Sequence, residues 1–145
     1  MAHRISFRVY YEDTDAGGIV YHARYLGFAE RARAEALREL GMAVGELAGK
    51  ENLCFVVANL SISYKSPARL DDVLEVETRL VKMGNVRLIL QQEIHTLEEG
   101  VRRLNAVLTV ELATMTLTPF RPTALPQQYR ERMEALKSEQ AHSVL

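Results

Sequence analysis

Two carboxylates, two glycines and a histidine fall within ten residues of one another, at Asp13, Asp15, Gly17, Gly18 and His22. They sit in the run YYEDTDAGGIVYHARYLGFAERAR, from Tyr10 to Arg33. A strand-like pattern precedes the run and a helix-like pattern follows it. Glycines without Cβ let a backbone come close to a ligand. The first amides of the helix, near Tyr21 and His22, lack intrahelical acceptors and lie at the positive end of the helix dipole. Such amides can hold a carbonyl oxygen as it gains negative charge. A carboxylate opposite them can attack that carbonyl or activate water against it. The chemistry is acyl transfer without serine or metal, and Asp15 is its candidate acid. For Asp13 a turn-capping role is the expected one, as Asp commonly does. His22 fits a capping role and a carbonyl-positioning role equally well. Tyr21, Tyr25 and Phe28 read first as core, and Glu30, Arg31 and Arg33 as a solvated or ion-paired face.

These residues need a frame. Ile5, Phe7 and Val9 alternate with polar neighbours, which predicts a first strand over about Arg4 to Glu12. Tyr21, Tyr25, Phe28, Ala29, Ala32, Ala36, Leu37 and Leu40 recur at helical steps, and Gly41 follows as a C-cap. Met42 to Lys50 fits a short second helix. Four strands follow. The first runs from Leu53 to Tyr64 and stops before Pro67. The next carries Leu74, Val76, Thr78 and Leu80 on one side, and Gly84-Asn85 turns it back. Val86 to Ile94 and Leu104 to Leu112 mark the last two. Leu125, Tyr129, Met133 and Leu136 fit a C-terminal amphipathic helix, and Ser138 to Leu145 read as a loose tail. The predicted class is α+β, a long helix against one face of a five-stranded antiparallel sheet. One domain over 1–125 is expected, with the C-terminal helix and tail over 126–145. A lone sheet of this kind leaves an edge and part of a face open, so a homo-oligomer is expected.

Composition narrows the function classes. The 145 residues suit one domain with a real core. A net charge of −1 gives no sign of a nucleic-acid partner. No apolar run approaches the roughly 20 residues a membrane span needs, and no signal region opens the chain. A soluble, cytoplasmic protein is the expectation. The single cysteine, Cys54, has no partner for an internal disulfide and reads as a small buried hydrophobe.

Other chemistries fit less well. Asp13-x-Asp15 with Gly18 begins like a calcium loop, but Gly17 and Arg24 stand where oxygen ligands are needed. The four histidines, His3, His22, His95 and His142, show no close ligand spacing, so no metal is expected. No G-x-S-x-G elbow and no phosphate-cradling glycine loop occurs.

The run YYEDTDAGGIVYHARYLGFAERAR closely resembles the hotdog-fold acyl-CoA thioesterases associated with the Tol–Pal system, within the 4-hydroxybenzoyl-CoA thioesterase-like group. Phe55 to Val57, Tyr64 to Asp72 and Ala124 to Pro126 also resemble that subfamily. The likeness covers about residues 3 to 130. It implies a hotdog, a long central helix wrapped by the sheet. It implies protomers joined edge to edge as a dimer or dimer of dimers, with a homotetramer common, and active sites at the dimer interface. Carried over by motif position, Asp15 is the catalytic carboxylate. The amide at or next to His22 polarises the thioester carbonyl, and the His22 side chain assists. Gly18, Tyr21 and Tyr25 shape the substrate site. The implied substrate is an acyl-CoA, with an acyl carrier protein as a possible partner and no cofactor. Lys65, Arg69, Lys82, Arg87, Arg102 and Arg103 are candidates to meet the CoA phosphates. Two competing readings are a module that binds acyl-CoA or acyl carrier protein without cutting it, and a hotdog dehydratase. The second is disfavoured because His22 lies at the helix start beside Asp15.

Overall fold

A computed structural model describes residues 1–137, so the expected tail from Ser138 to Leu145 lies outside the described residues. The chain begins with strand β1 (His3–Arg8) and ends its strand character four residues earlier than the alternation suggests. The reason is local. The Tyr10 amide donates to Asp13 Oδ2 at 2.8 Å, which winds Tyr11–Asp13 into a single 3-10 turn. Asp13 is thus a turn cap.

Helix α1 (Arg24–Glu39) starts three residues later than its apolar stripe suggests. Tyr21 N–H is taken by the Asp13 carbonyl at 2.9 Å, and Arg24 N–H bonds back to the Tyr21 carbonyl at 2.8 Å. Those bonds make a turn ahead of the helix. At the far end Gly41 has φ +78°. Met42 N–H then reaches the Leu37 carbonyl at 2.8 Å, and Gly41 N–H the Arg38 carbonyl at 3.0 Å. This is the paired C-terminal bonding that a left-handed residue permits. Helix α2 (Val44–Glu51) follows, closed by Asn52 in the left-handed region.

The strands are β2 (Leu53–Tyr64), β3 (Val73–Met83), β4 (Arg87–Glu98) and β5 (Val101–Thr116), with a two-residue β6 (Arg121–Pro122) against the end of β5. The expected five antiparallel strands are present, in the order β1-β3-β4-β5-β2, and β6 is an addition to them. Bulges interrupt the register between Val57 and Asn59, Leu80 and Lys82, and Ile94 and His95. Each adds local bend and twist, which lets the sheet curl.

Alanines 29, 32 and 36 on α1 are fully or nearly buried, so the helix backbone lies close to the sheet. Phe28 packs against Phe7 with ring centroids 5.7 Å apart. Gln92 lies beneath the helix and is fully satisfied. It donates to the Ala29 carbonyl and to Thr78 Oγ1, and accepts from Arg33. The apolar core beneath α1 is built from Leu74, Val76, Leu90, Ile94, Leu108 and Val110. Helix α1 packs over β1, β3 and β4. On the other side of the sheet β2 is an edge strand, and its inward residues Phe55, Val57, Leu60 and Ile62 are only partly covered. After β6, helix α3 (Gln127–Met133) and a following turn bury Met133 and Leu136 against the domain.

Candidate active site

The Asp13–Gly18 break folds into a tight hairpin. Thr14 and Val20 pair across it, Asp15 N–H donates to the Ile19 carbonyl at 2.9 Å, and Gly18 N–H returns to the Asp15 carbonyl at 3.1 Å. Gly18 supplies the φ of +80° that closes the turn. Asp15 Oδ1 accepts from Gly17 N–H at 2.8 Å. This bond fixes the carboxylate rotamer. Oδ2 has no protein partner among the described residues, and no cation lies within ion-pair distance of either oxygen. The hairpin is pinned to the next segment by Val20 N–H on the Ala68 carbonyl at 2.8 Å and by a bridge between Ile19 and Arg69.

Asp15, Ile19, Val20, His22 and Tyr25 form one side of a cleft of about 360 Å³; Tyr64, Lys65, Ser66 and Pro67 form the other. The helix end at this cleft is bare. No side chain caps α1, and no acid occupies its first turn. Among the described residues the amides of His22 and Ala23 find no acceptor. Neither aspartate caps α1, since Asp13 caps the earlier turn and Asp15 bonds Gly17. Donors near a helix start, unsatisfied by protein, form a ready site for negative charge.

The other expected residues take different places. Tyr25 is buried, and its hydroxyl oxygen accepts from Ala68 N–H at 3.1 Å. Burial pushes its phenol pKa up from the ordinary value, partly offset by the Ala68 amide. Its ring meets Tyr64 edge-on, centroids 5.5 Å apart. Tyr64 in turn donates its hydroxyl proton to the His22 carbonyl at 2.8 Å. Tyr21 is half exposed, and its ring meets the His22 ring at a tilt of 48°, centroids 4.4 Å apart, outside the cleft lining. Gly18 shapes the hairpin and does not line the cleft.

The segment Tyr64–Pro67 is the part of the site that period and spacing miss. Its signal is a polar run with proline directly after an apolar strand, and the strand carries it some 40 residues back to the helix start. The candidate phosphate contacts separate clearly. Lys65 lines the cleft, and Arg69 is exposed beside the hairpin. Arg87 pairs with Glu111 at 3.0 Å, Arg102 with Glu75 at 2.8 Å, and Arg103 with Glu98 at 3.4 Å. Lys82 lies on β3, outside the cleft lining.

The curled antiparallel sheet and its helix make a hotdog fold. Residues 17–102 match the model of the Thioesterase superfamily, and the chain belongs to that superfamily. The chain is 42% identical to the acyl-CoA thioesterase YbgC of Haemophilus influenzae, over 90% of this chain and 93% of that one. Among solved structures, a probable thioesterase from Bartonella henselae superposes with TM-score 0.79 at 36% identity, over 87% of this chain and all of the other. The 4-hydroxybenzoyl-CoA thioesterase of a Pseudomonas species shares the fold at TM-score 0.84 and 17% identity, over 90% and 98% of the two chains. No helix among the described residues is long and apolar enough to cross a membrane.

Proposed function

We propose that this protein hydrolyses acyl-CoA thioesters to a free acid and CoA, with Asp15 as the catalytic carboxylate. The observation that carries this is a single cleft holding an Asp15 oxygen with no protein partner and an uncapped helix start at His22. The kinship with acyl-CoA thioesterases supports the substrate class. In the general-base route Asp15 takes a proton from water as the oxygen attacks the thioester carbon. The carbonyl oxygen gains charge and is met by the His22 amide. One such donor is typically worth about 10²–10³ in rate. The tetrahedral intermediate then collapses, the C–S bond breaks, and the proton held by Asp15 passes to the leaving sulfur. In the nucleophilic route an Asp15 oxygen attacks the carbon itself. CoA leaves, and water then cleaves the mixed anhydride and restores the carboxylate.

Tyr64 holds the wall opposite the acid with its ring against Tyr25, and it fixes the His22 carbonyl and so the peptide plane that follows it. Tyr21 acts by backing the His22 ring, and Gly18 by closing the hairpin. Lys65, which lines the cleft, is the cation proposed to meet a CoA phosphate. The half-covered inner face of β2 and its open edge support a dimer built along that strand, and a dimer of dimers from it. A cytoplasmic setting and an association with the Tol–Pal system are part of this proposal, the association supported by the resemblance alone.

Thiol release over short, long and aromatic acyl-CoAs tests the function. Turnover on one class or more is the expected result. Tight acyl-CoA binding with no thiol released on any of them would replace hydrolysis by a binding role, for acyl-CoA or an acyl carrier protein.

A further inference from the structure

Leu104–Leu108 reads LNAVL, and its one polar residue, Asn105, has no exposed surface. Across the β4–β5 ladder Ile94 pairs with Ala106 and His95 with Leu104, so Asn105 is the extra residue of that bulge. A bulge can re-aim a side chain, and bulges are frequent beside active sites.

The bonds of Asn105 converge on the far wall of the Asp15 cleft. Its backbone carbonyl accepts from Lys65 N–H at 2.7 Å and from Ser66 N–H at 3.3 Å. Its Nδ2 donates to the Ser66 carbonyl and to Ser66 Oγ, both at 3.3 Å. Ser66 Oγ gives its own proton to the Leu104 carbonyl at 2.7 Å. On the other side Thr96, also fully buried, donates from Oγ1 to Asn105 Oδ1 at 2.8 Å. The Ser66 and Leu104 carbonyls can only accept, so every proton direction in this set is fixed. A buried network whose members are all satisfied rigidifies what it joins. Neither Asn105 nor Thr96 lines the cleft, whereas Lys65 and Ser66 both do.

We propose that Asn105 is a positioning residue: held by Thr96, it fixes Lys65 and Ser66 against an acyl-CoA, the occupant proposed above, on which this role rests. The acid and the helix start lie on the opposite wall and are pinned by other bonds, Asp15 by Gly17 and Val20 by Ala68. Tyr64 stays in the β2–β5 ladder opposite Ala106. Loss of the Asn105 side chain should therefore weaken binding and spare the chemistry.

Two measurements test this together: thiol-release kinetics on the acyl-CoA with the highest kcat/KM, and equilibrium binding of S-octyl-CoA, a thioether that cannot be hydrolysed. Asn105→Ala is expected to raise KM and the S-octyl-CoA Kd by about fivefold or more, with kcat within about twofold of the parent. Thr96→Val keeps the side-chain shape and should raise both by about twofold or more. An Asn105→Ala protein with lowered Tm but parental KM and Kd makes Asn105 a structural residue only and overturns the proposal. A loss confined to kcat also overturns it. If Asn105→Ala does not fold, Thr96→Val decides on the same readouts. A parent that releases no thiol from any acyl-CoA overturns hydrolysis instead. The S-octyl-CoA affinities then decide the role of Asn105, and equal affinities, or no binding by either protein, overturn it.

Discussion

Gly17 N–H donates to Asp15 Oδ1 at 2.8 Å, and a Cβ at residue 17 would stand 3.3 Å from that same oxygen. The carboxylate is therefore held by a residue whose side chain, if it had one, would crowd it. Gly18 is different. A Cβ there would meet open space, but its φ of +80° is one that L residues rarely adopt. Two adjacent glycines serve two separate needs, one of space and one of backbone conformation.

The two substitutions should therefore separate. Gly17→Ala shifts Asp15 by a few tenths of an ångström, and a 1 Å misplacement can cost about 10²-fold. A roughly tenfold drop in kcat with little change in Tm is expected. Gly18→Ala should instead lower stability by about 1–2 kcal/mol, the usual cost of a left-handed L residue. Denaturant midpoints and thiol-release rates on both variants check this.

Tyr25→Phe removes the oxygen that accepts from the buried Ala68 amide. An unsatisfied buried donor costs about 1–3 kcal/mol. Urea unfolding should show that loss, and unchanged stability would mean the amide finds another acceptor. The pinning of the segment at Ala68 would loosen with it, so KM is expected to rise as well.

His95 sets an acid limit on stability. Burial holds its pKa below the ordinary value, and the Arg102 cation reinforces this. Arg102 Nη2 lies 3.3 Å from Nδ1, so Nδ1 accepts and the neutral ring is the one that fits. In the unfolded chain the ring protonates near pH ~6.5. Below that pH, down to the folded value, the unfolded state binds more protons, so stability falls as pH falls. The contribution is complete above the unfolded value. His95→Gln should flatten the Tm profile below neutral pH, and an unaltered slope would remove His95 as its cause.

Much of this arrangement is legible in the chain. The alternation Ile5-Phe7-Val9, the alanine stripe of α1 and the turn at Gly84 all report local geometry, and the structure keeps them. The errors lie where a distant or polar bond competes with the local pattern. Asp13 accepts from two backbone amides, ending β1 early and delaying α1 to Arg24. The bulge after Val57 is invisible to a period of two. The far wall of the cleft, Tyr64 to Pro67, is set by how β2 crosses the sheet, which no spacing in the sequence encodes. Arg33 reads as a surface charge by residue type, yet α1 turns it inward over Gln92.

The central claim is that Asp15 is the group that drives hydrolysis. Asp15→Asn preserves shape and the acceptor oxygen for Gly17, and removes the negative charge. Thiol release from the best acyl-CoA substrate should fall by at least about 10²-fold, as loss of a catalytic acid–base group does, with circular dichroism and Tm unchanged. A folded Asp15→Asn variant that releases thiol at the parental rate would contradict the account.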